Sequence, residues 1–351
     1  MRDVLLNGPL DISAWVATGL RDVRFVVAKD AKRPKGPFVF CQDVKGGRVE
    51  NVEFLDPAGE AEVERFSSGF RFIGCRDLQV RGISASGAGQ YGVTVQGGRD
   101  ITIEGVSTDR CFIGLKVESL WEPTVGLVIR GARLVDGWNP HHDQGSPTPP
   151  SVLRPGEHFG WGGFNLHGVV HGRLEQVFTG GETGGSKVTT CRHVVLSGVA
   201  TPHLSLRGIA QAHPDWHWAS AEEGAYDITA SRCLIWQRLA DASLDASGAD
   251  VSNVGGYNGV QAATKLRARL VDCDLRGDGR DGHAIQAALD AHVEVEGGRI
   301  SGWRGARGGV LAAAFDVRPA VDDPSTITHR GVAFGPGQEV WSARTLAAKR
   351  D

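Results

Sequence analysis

No stretch of this chain reaches 18 consecutive apolar residues, so no segment is long enough to cross a membrane as a helix. A basic stripe is also missing. The 38 Lys and Arg stand against 41 Asp and Glu, a net charge of −3, which argues against a nucleic-acid partner. The six cysteines show no CxxC spacing, so neither a zinc ribbon nor a dithiol motif is written in the sequence. They are read as buried thiols. The start, MRDVLLNGPLDISAWVATG, has one Arg and a broken apolar stretch. It lacks the continuous apolar core of a secretory leader, so the expectation is a chain without an export signal.

What the sequence does have is a recurring phrase of alternating apolar and polar residues followed by a glycine step. It reads RDLQVRGIS (76–84), RDITIEGVS (99–107), GLVIRGARL (126–134), RHVVLSGVA (192–200) and AHVEVEGGRI (291–300), with further copies from 21 to 334. Arg76 and Arg99 are about 23 residues apart, and other gaps are similar or carry an insertion. Alternation at period two is the pattern of a strand, and Gly105 supplies a bend that other residues avoid. A strand this short buries its face only by stacking on its neighbours. Forty-nine glycines fit many tight turns. The predicted architecture is one solenoid column: an N-terminal cap at 1–20, coils over 21–335 and a C-terminal cap or tail at 336–351. Within 11–20 a short helix is expected, with Ile12, Trp15, Val16 and Leu20 on one face and Asp11 or Ser13 as cap.

On these repeats the chain resembles the pectin-lyase-like superfamily, which implies an all-β, single-stranded right-handed parallel β-helix. It is similar in this to the tail and head spikes of phage-type particles. β-Helices of that class mostly handle polysaccharide outside cells. With no export signal read in the sequence, the resemblance implies a spike or fibre on the surface of a virion or phage-like particle, assembled in the host cytoplasm. Its partners would be a surface polysaccharide, capsule or lipopolysaccharide, and other particle proteins. It would be a homo-oligomer, a trimer if it follows related spikes.

The repeat fails between 137 and 224. Two inserted loops are expected, at 137–168 and 210–224. Five prolines between 140 and 155 exclude a ladder strand there, and four of the nine tryptophans lie between 138 and 218. Loops on a rigid scaffold carry binding and catalysis. Trp138, Trp161, Trp216 and Trp218 offer rings on which the apolar faces of sugars stack. In an extended segment Trp216 and Trp218 point the same way. Asn139, Arg154, His158, Asn165, His167 and Lys187 complete the expected glycan-binding set.

The phrase GWNPHHDQ (137–144) resembles the catalytic segment of mannuronan C5-epimerases and related alginate lyases. Gly137, Trp138, Pro140 and His141 match. Asn139 stands where that family has Asp, His142 where it has Glu, and no tyrosine is near. An amide cannot accept a proton, so the family's chemistry is not carried over intact. Should the chain be an enzyme (a lyase, C5-epimerase or glycosidase), the candidates are His141, His142 with Asp143, and His217 with Asp215, carboxylate–imidazole pairs suited to acid–base work. Adjacent His141 and His142 point to opposite sides of an extended segment, so a shared metal is awkward, and the reading includes no metal and no cofactor. The glycine-rich TGGETGGSKVTT (179–190) lacks the GKS/T ending of a phosphate loop and is read as a solenoid turn. GYNGVQA (256–262) and GHAIQA (282–287) are read as coil strands with stacked Gln.

Overall fold

The computed structural model describes residues 1–31, 36–57, 68–111, 113–119, 122–135, 162–180, 185–208, 226–236, 260–263, 265–277, 279, 282–303, 315–317, 324–336 and 338. Among these residues nearly all regular structure is strand, in a 17-stranded sheet, an 11-stranded sheet and a two-stranded pair. The long ladders are parallel throughout. Gln79–Ser86, for example, pairs in parallel with both Arg48–Leu55 and Thr102–Asp109. Each turn of chain contributes strands to both large sheets, and the next turn stacks on it. This is the stacked-coil column that the repeat predicts.

The glycine step of the repeat turns out to be a structural column of its own. Asp22, Asn51, Gly82, Gly105, Gly131, Gln176, Gly198, Arg232, Asp272, Gly297 and Gly331 stack coil on coil, every one with φ between 50° and 70°. One left-handed residue per coil bends the strand and makes the 17-stranded sheet turn a corner. Aspartate and asparagine tolerate this conformation better than most side chains, and Asn51 Nδ2 donates to Asp22 Oδ1 at 2.6 Å. Arg21–Asp22, which reads in the sequence like Arg76–Asp77, therefore sits elsewhere in the coil. Asp22 takes the corner that Gly82 and Gly105 fill two and three coils later.

Between the two sheets lies one continuous core. Val80, Ile103, Ile129 and Leu174 stack from one sheet, and Phe72, Val95, Val117, Leu166, Val188 and Leu206 from the other, all essentially inaccessible. At Gly69, Gly92 and Gly114 a Cβ would meet atoms closer than 3 Å. A Cβ on Gly92 would lie 2.8 Å from both the Thr108 methyl and the Gly114 carbonyl oxygen, so only glycine fits. In the first coils the core is aromatic. The Phe25, Phe54 and Phe70 rings meet edge to face with centroids 6.0 to 6.2 Å apart, and Trp15 stacks on Phe25.

Three local expectations differ from what is found. The helix is shorter, Ser13–Thr18, with Ile12 at its N-cap and no side-chain cap. Asp11 accepts from the Ser13 amide and hydroxyl instead. Before it, Arg2–Leu6 is already a strand in register with Val23–Val27. Within the expected loop at 137–168, Gly162–His167 forms a ladder strand between Ile113–Glu118 and Gly185–Thr189. The prolines that argue against a strand end at Pro155, and Phe164 and Leu166 restore the alternation. Of the expected C-terminal cap or tail, residues 339–351 lie outside the described residues. In the two Gln-Ala phrases Gln261 and Gln286 are backbone partners in adjacent strands. No described helix is long and apolar enough to cross a membrane.

Candidate functional site

On the 11-stranded sheet, alternation sends every second side chain away from the core. One outward column runs Arg71, Thr94, Lys116, Asn165, Lys187, Ser205, each in register with the next. All six are polar. Strands in such a ladder lie about 4.8 Å apart, so the column offers one hydrogen-bonding side chain per coil at that interval.

These side chains point outward and yet are hidden. Thr94 is 0 % exposed and Ser205 2 %, and the Lys116 side chain is 12 % exposed. Arg71 Nε, Thr94 Oγ1, Asn165 Oδ1 and Ser205 Oγ are inaccessible and have no hydrogen-bond partner among the described residues. A buried, unpaired polar group costs about 1–3 kcal/mol, so four in one column need a reason.

The charge of this face is lopsided. Over the strands from Ser68 to Arg207 the outward cations are Arg71, Lys116, Lys187 and Arg207, and among the described residues of these strands the acid is Glu118 alone. Lys116 is held from two sides: its ammonium donates to Tyr91 Oη at 2.9 Å and contacts Glu118 Oε1 at 2.8 Å. Burial lowers its pKa, but Tyr91 and Glu118 outweigh that and hold it above the ordinary lysine value. An ammonium has three donors, so one remains for a ligand. One residue beyond Leu166, His167 faces out beside Thr189 and Arg207. Burial, then the charges of Lys116, Lys187 and Arg207, lower its pKa to about 3. The imidazole is therefore neutral at any physiological pH and, among these cations, a weak base.

Of the residues expected from the sequence, the structure brings together Asn165, His167 and Lys187. Trp138, Asn139, His141, His142, Asp143, Arg154, His158, Trp161, Asp215, Trp216, His217 and Trp218 lie outside the described residues. The residues that sequence reasoning passes over are Arg71, Tyr91, Thr94, Lys116, Ser205 and Arg207. A signal for three of them existed. The segments GFRFI, GVTVQ and GLKVE share a Gly-apolar-polar-apolar pattern that superimposes Arg71, Thr94 and Lys116. Among the described residues no cluster of His, Cys, Asp or Glu is arranged to hold a metal ion.

No family model matches the sequence, and no curated protein matches it significantly. Solved structures do match in fold. The A-module of the mannuronan C-5 epimerase AlgE6 of Azotobacter vinelandii aligns over 96 % of this chain and 89 % of its own, with 9 % identity and a TM-score of 0.56. The enzymatically active domain of tailspike protein 2 of bacteriophage CBA120 aligns over 84 % of this chain with 10 % identity and a TM-score of 0.52. This chain spans 43 % of that tailspike's length. With its parallel ladders, its corner column and this shared architecture, the chain is a right-handed parallel β-helix.

Proposed function

We propose that this β-helix binds an acidic surface polysaccharide, of capsule or lipopolysaccharide type, along the outer face of its 11-stranded sheet, as a spike or fibre of a phage-type particle. One observation carries the binding: the in-register outward column Arg71, Thr94, Lys116, Asn165, Lys187 and Ser205, on a face whose described strands hold four cations against one acid. A polymer that repeats hydroxyl and carboxylate groups supplies partners to coil after coil, and its negative charge matches the excess of cations on this face. Placement on a particle draws on the fold shared with the tailspike; the other particle proteins and the homo-oligomer belong to the proposal alone.

The test is retention of acidic against neutral polysaccharides on the immobilised protein at low and high salt. Salt-sensitive retention of acidic polymers is expected. Equal retention of both, or of neither, would sink the assignment.

A second reading, a lyase or epimerase, is favoured by His167. His167 lies among Lys116, Lys187 and Arg207; a bound carboxylate that offsets these cations would raise the imidazole pKa and let it take a proton from the adjacent carbon. Incubation with uronate polymers decides between the readings. Unsaturated ends or changed uronate stereochemistry, abolished by His167→Gln, would make the protein an enzyme. Unchanged polymer recovered from the complex leaves it a binder.

A further inference from the structure

The six cysteines are all free and buried, but they are of two kinds. Cys41 Sγ lies 3.7 Å from Cys75 Sγ in the neighbouring coil. Cys233 and Cys273 are likewise one coil apart. Leu234 pairs with Asp274 in the ladder, and the Asp274 amide donates to the Cys233 carbonyl at 2.8 Å, which stacks the two cysteines one position earlier. Cys111 and Cys191 are solitary: their sulfurs face backbone carbonyls of Ala85, Asp109, Leu166 and Thr189, and burial pushes each thiol up to about 12.

Cys41 and Cys75 lie close enough to share a hydrogen bond that either sulfur can donate. Contact with the partner sulfur holds Cys75 and Cys233 below the ordinary thiol value and raises Cys41 and Cys273 above it. Each pair therefore contains a sulfur suited to attack and a neighbour placed to resolve. Cys233 and Cys273 sit at stacked positions on strands about 4.8 Å apart, within the Cα separations of about 4.4–6.8 Å that a disulfide spans; Cys41 is in register with Phe72, so the first pair rests on its sulfur contact.

We propose that Cys41–Cys75 and Cys233–Cys273 are two dithiols that close to intramolecular disulfides, each stapling one coil to the next, when the protein meets a low-molecular-weight disulfide such as oxidised glutathione. The Cys75 or Cys233 thiolate attacks one glutathione sulfur, breaks its S–S bond and expels one glutathione thiolate, which takes up a proton. The partner, Cys41 or Cys273, loses its proton and attacks the protein sulfur of the mixed disulfide, expelling the second glutathione. For each bridge two protein thiols are oxidised and one glutathione disulfide is reduced to two thiols. All four sulfur-bearing residues are 0–4 % exposed, so the reaction waits on local opening of the coils and is slow. Little change of fold is needed on closure, because the Cys41 and Cys75 sulfurs already lie 3.7 Å apart and Cys233 stacks directly on Cys273. Compartment change is the natural trigger: reducing conditions during assembly, oxidising conditions outside.

The experiment uses the full chain, incubated with oxidised glutathione, then unfolded in excess iodoacetamide and digested without reduction. Amide hydrogen exchange over the same period records whether the coils open. Expected are cross-linked peptides joining Cys41 to Cys75 and Cys233 to Cys273, alkylated Cys111 and Cys191, and a rise in Tm that dithiothreitol reverses. In Cys41→Ser the expected product is a persistent glutathione adduct on Cys75, which identifies the attacking sulfur. If the coil amides exchange while all six cysteines remain alkylatable, or if bridges form to Cys111 or Cys191, the proposal is overturned. A pair that stays open beside one that closes is overturned for that pair.

Discussion

The two outer faces of this solenoid are built on the same spacing and treat charge in opposite ways. On the 17-stranded sheet the in-register column Arg21, Glu50, Arg81, Glu104, Arg130, Glu175 alternates sign at every coil. Arg21 meets Glu50 at 3.1 Å; Glu104 is shared between Arg81 at 3.0 Å and Arg130 at 3.3 Å; Arg130 also reaches Glu175 at 2.8 Å. Each charge is answered within the column, on a face open to water, where such pairs contribute little individually but penalise a one-coil slip that would set like charges together. On the 11-stranded sheet the matching column has three cations, one amide and two hydroxyls, with one acid nearby. Four of its polar atoms are buried with no partner among the described residues. A ladder that satisfies itself has little left to offer a ligand; the second face holds bonding atoms in reserve.

The comparison is most severely tested by Lys187→Glu. It reverses a charge in the second column, and retention of acidic polysaccharide is expected to weaken about 30-fold or more, since desolvated charge contacts are worth about 2–5 kcal/mol. Calorimetric titration measures it, and an unchanged affinity would remove the column from the binding surface.

The next effect in size is pH-dependent. In the folded chain His167 titrates at about 3 against an ordinary 6.5, so between those values the unfolded chain carries the extra proton. The contribution to stability is complete above about pH 6.5 and is lost as pH falls toward 3, by at most about 1.4 kcal/mol per pH unit. Urea unfolding of the parent and of His167→Gln at about pH 4 and about pH 7 should show a smaller pH loss in the variant. Parallel losses would mean that His167 is not held neutral in the site.

A subtler variant separates binding from folding. Thr94→Val replaces an unpartnered buried hydroxyl with a methyl group of similar shape. The free protein is expected to gain up to about 1 kcal/mol, while glycan affinity drops about fivefold. If Thr94→Val weakens the free protein as well, the hydroxyl already has a partner and Thr94 is no binding residue. Smallest of all, Arg130→Ala in the self-satisfied ladder should cost under about 1 kcal/mol in unfolding free energy and leave glycan retention untouched.

Part of the site was readable in advance. Asn165, His167 and Lys187 stand out as polar residues in the region where the repeat breaks. Tyr91, Thr94 and Lys116 do not, because they lie in regular coils, where the repeat makes every outward residue look alike. Thr94 in YGVTVQ and Thr102 in ITIEG have the same local pattern, and only the stacked ladder shows that one is buried beside Lys116 while the other is not. The glycine step was legible as a bend; that Asp22, Asn51, Gln176 and Arg232 serve at the same corner was not, since four unlike side chains share only a backbone angle.

The sequence by itself determined the column: alternation, a left-handed corner and a repeat near 23 residues leave little besides stacked parallel coils, because strands so short are stable only against their own repeats. Only the tertiary structure decided which outer face is self-neutralising and which thiols meet. Both depend on which residues of successive coils fall in register, and insertions of unequal length between the phrases set that register across about 20 to 50 positions of chain that no local pattern spans.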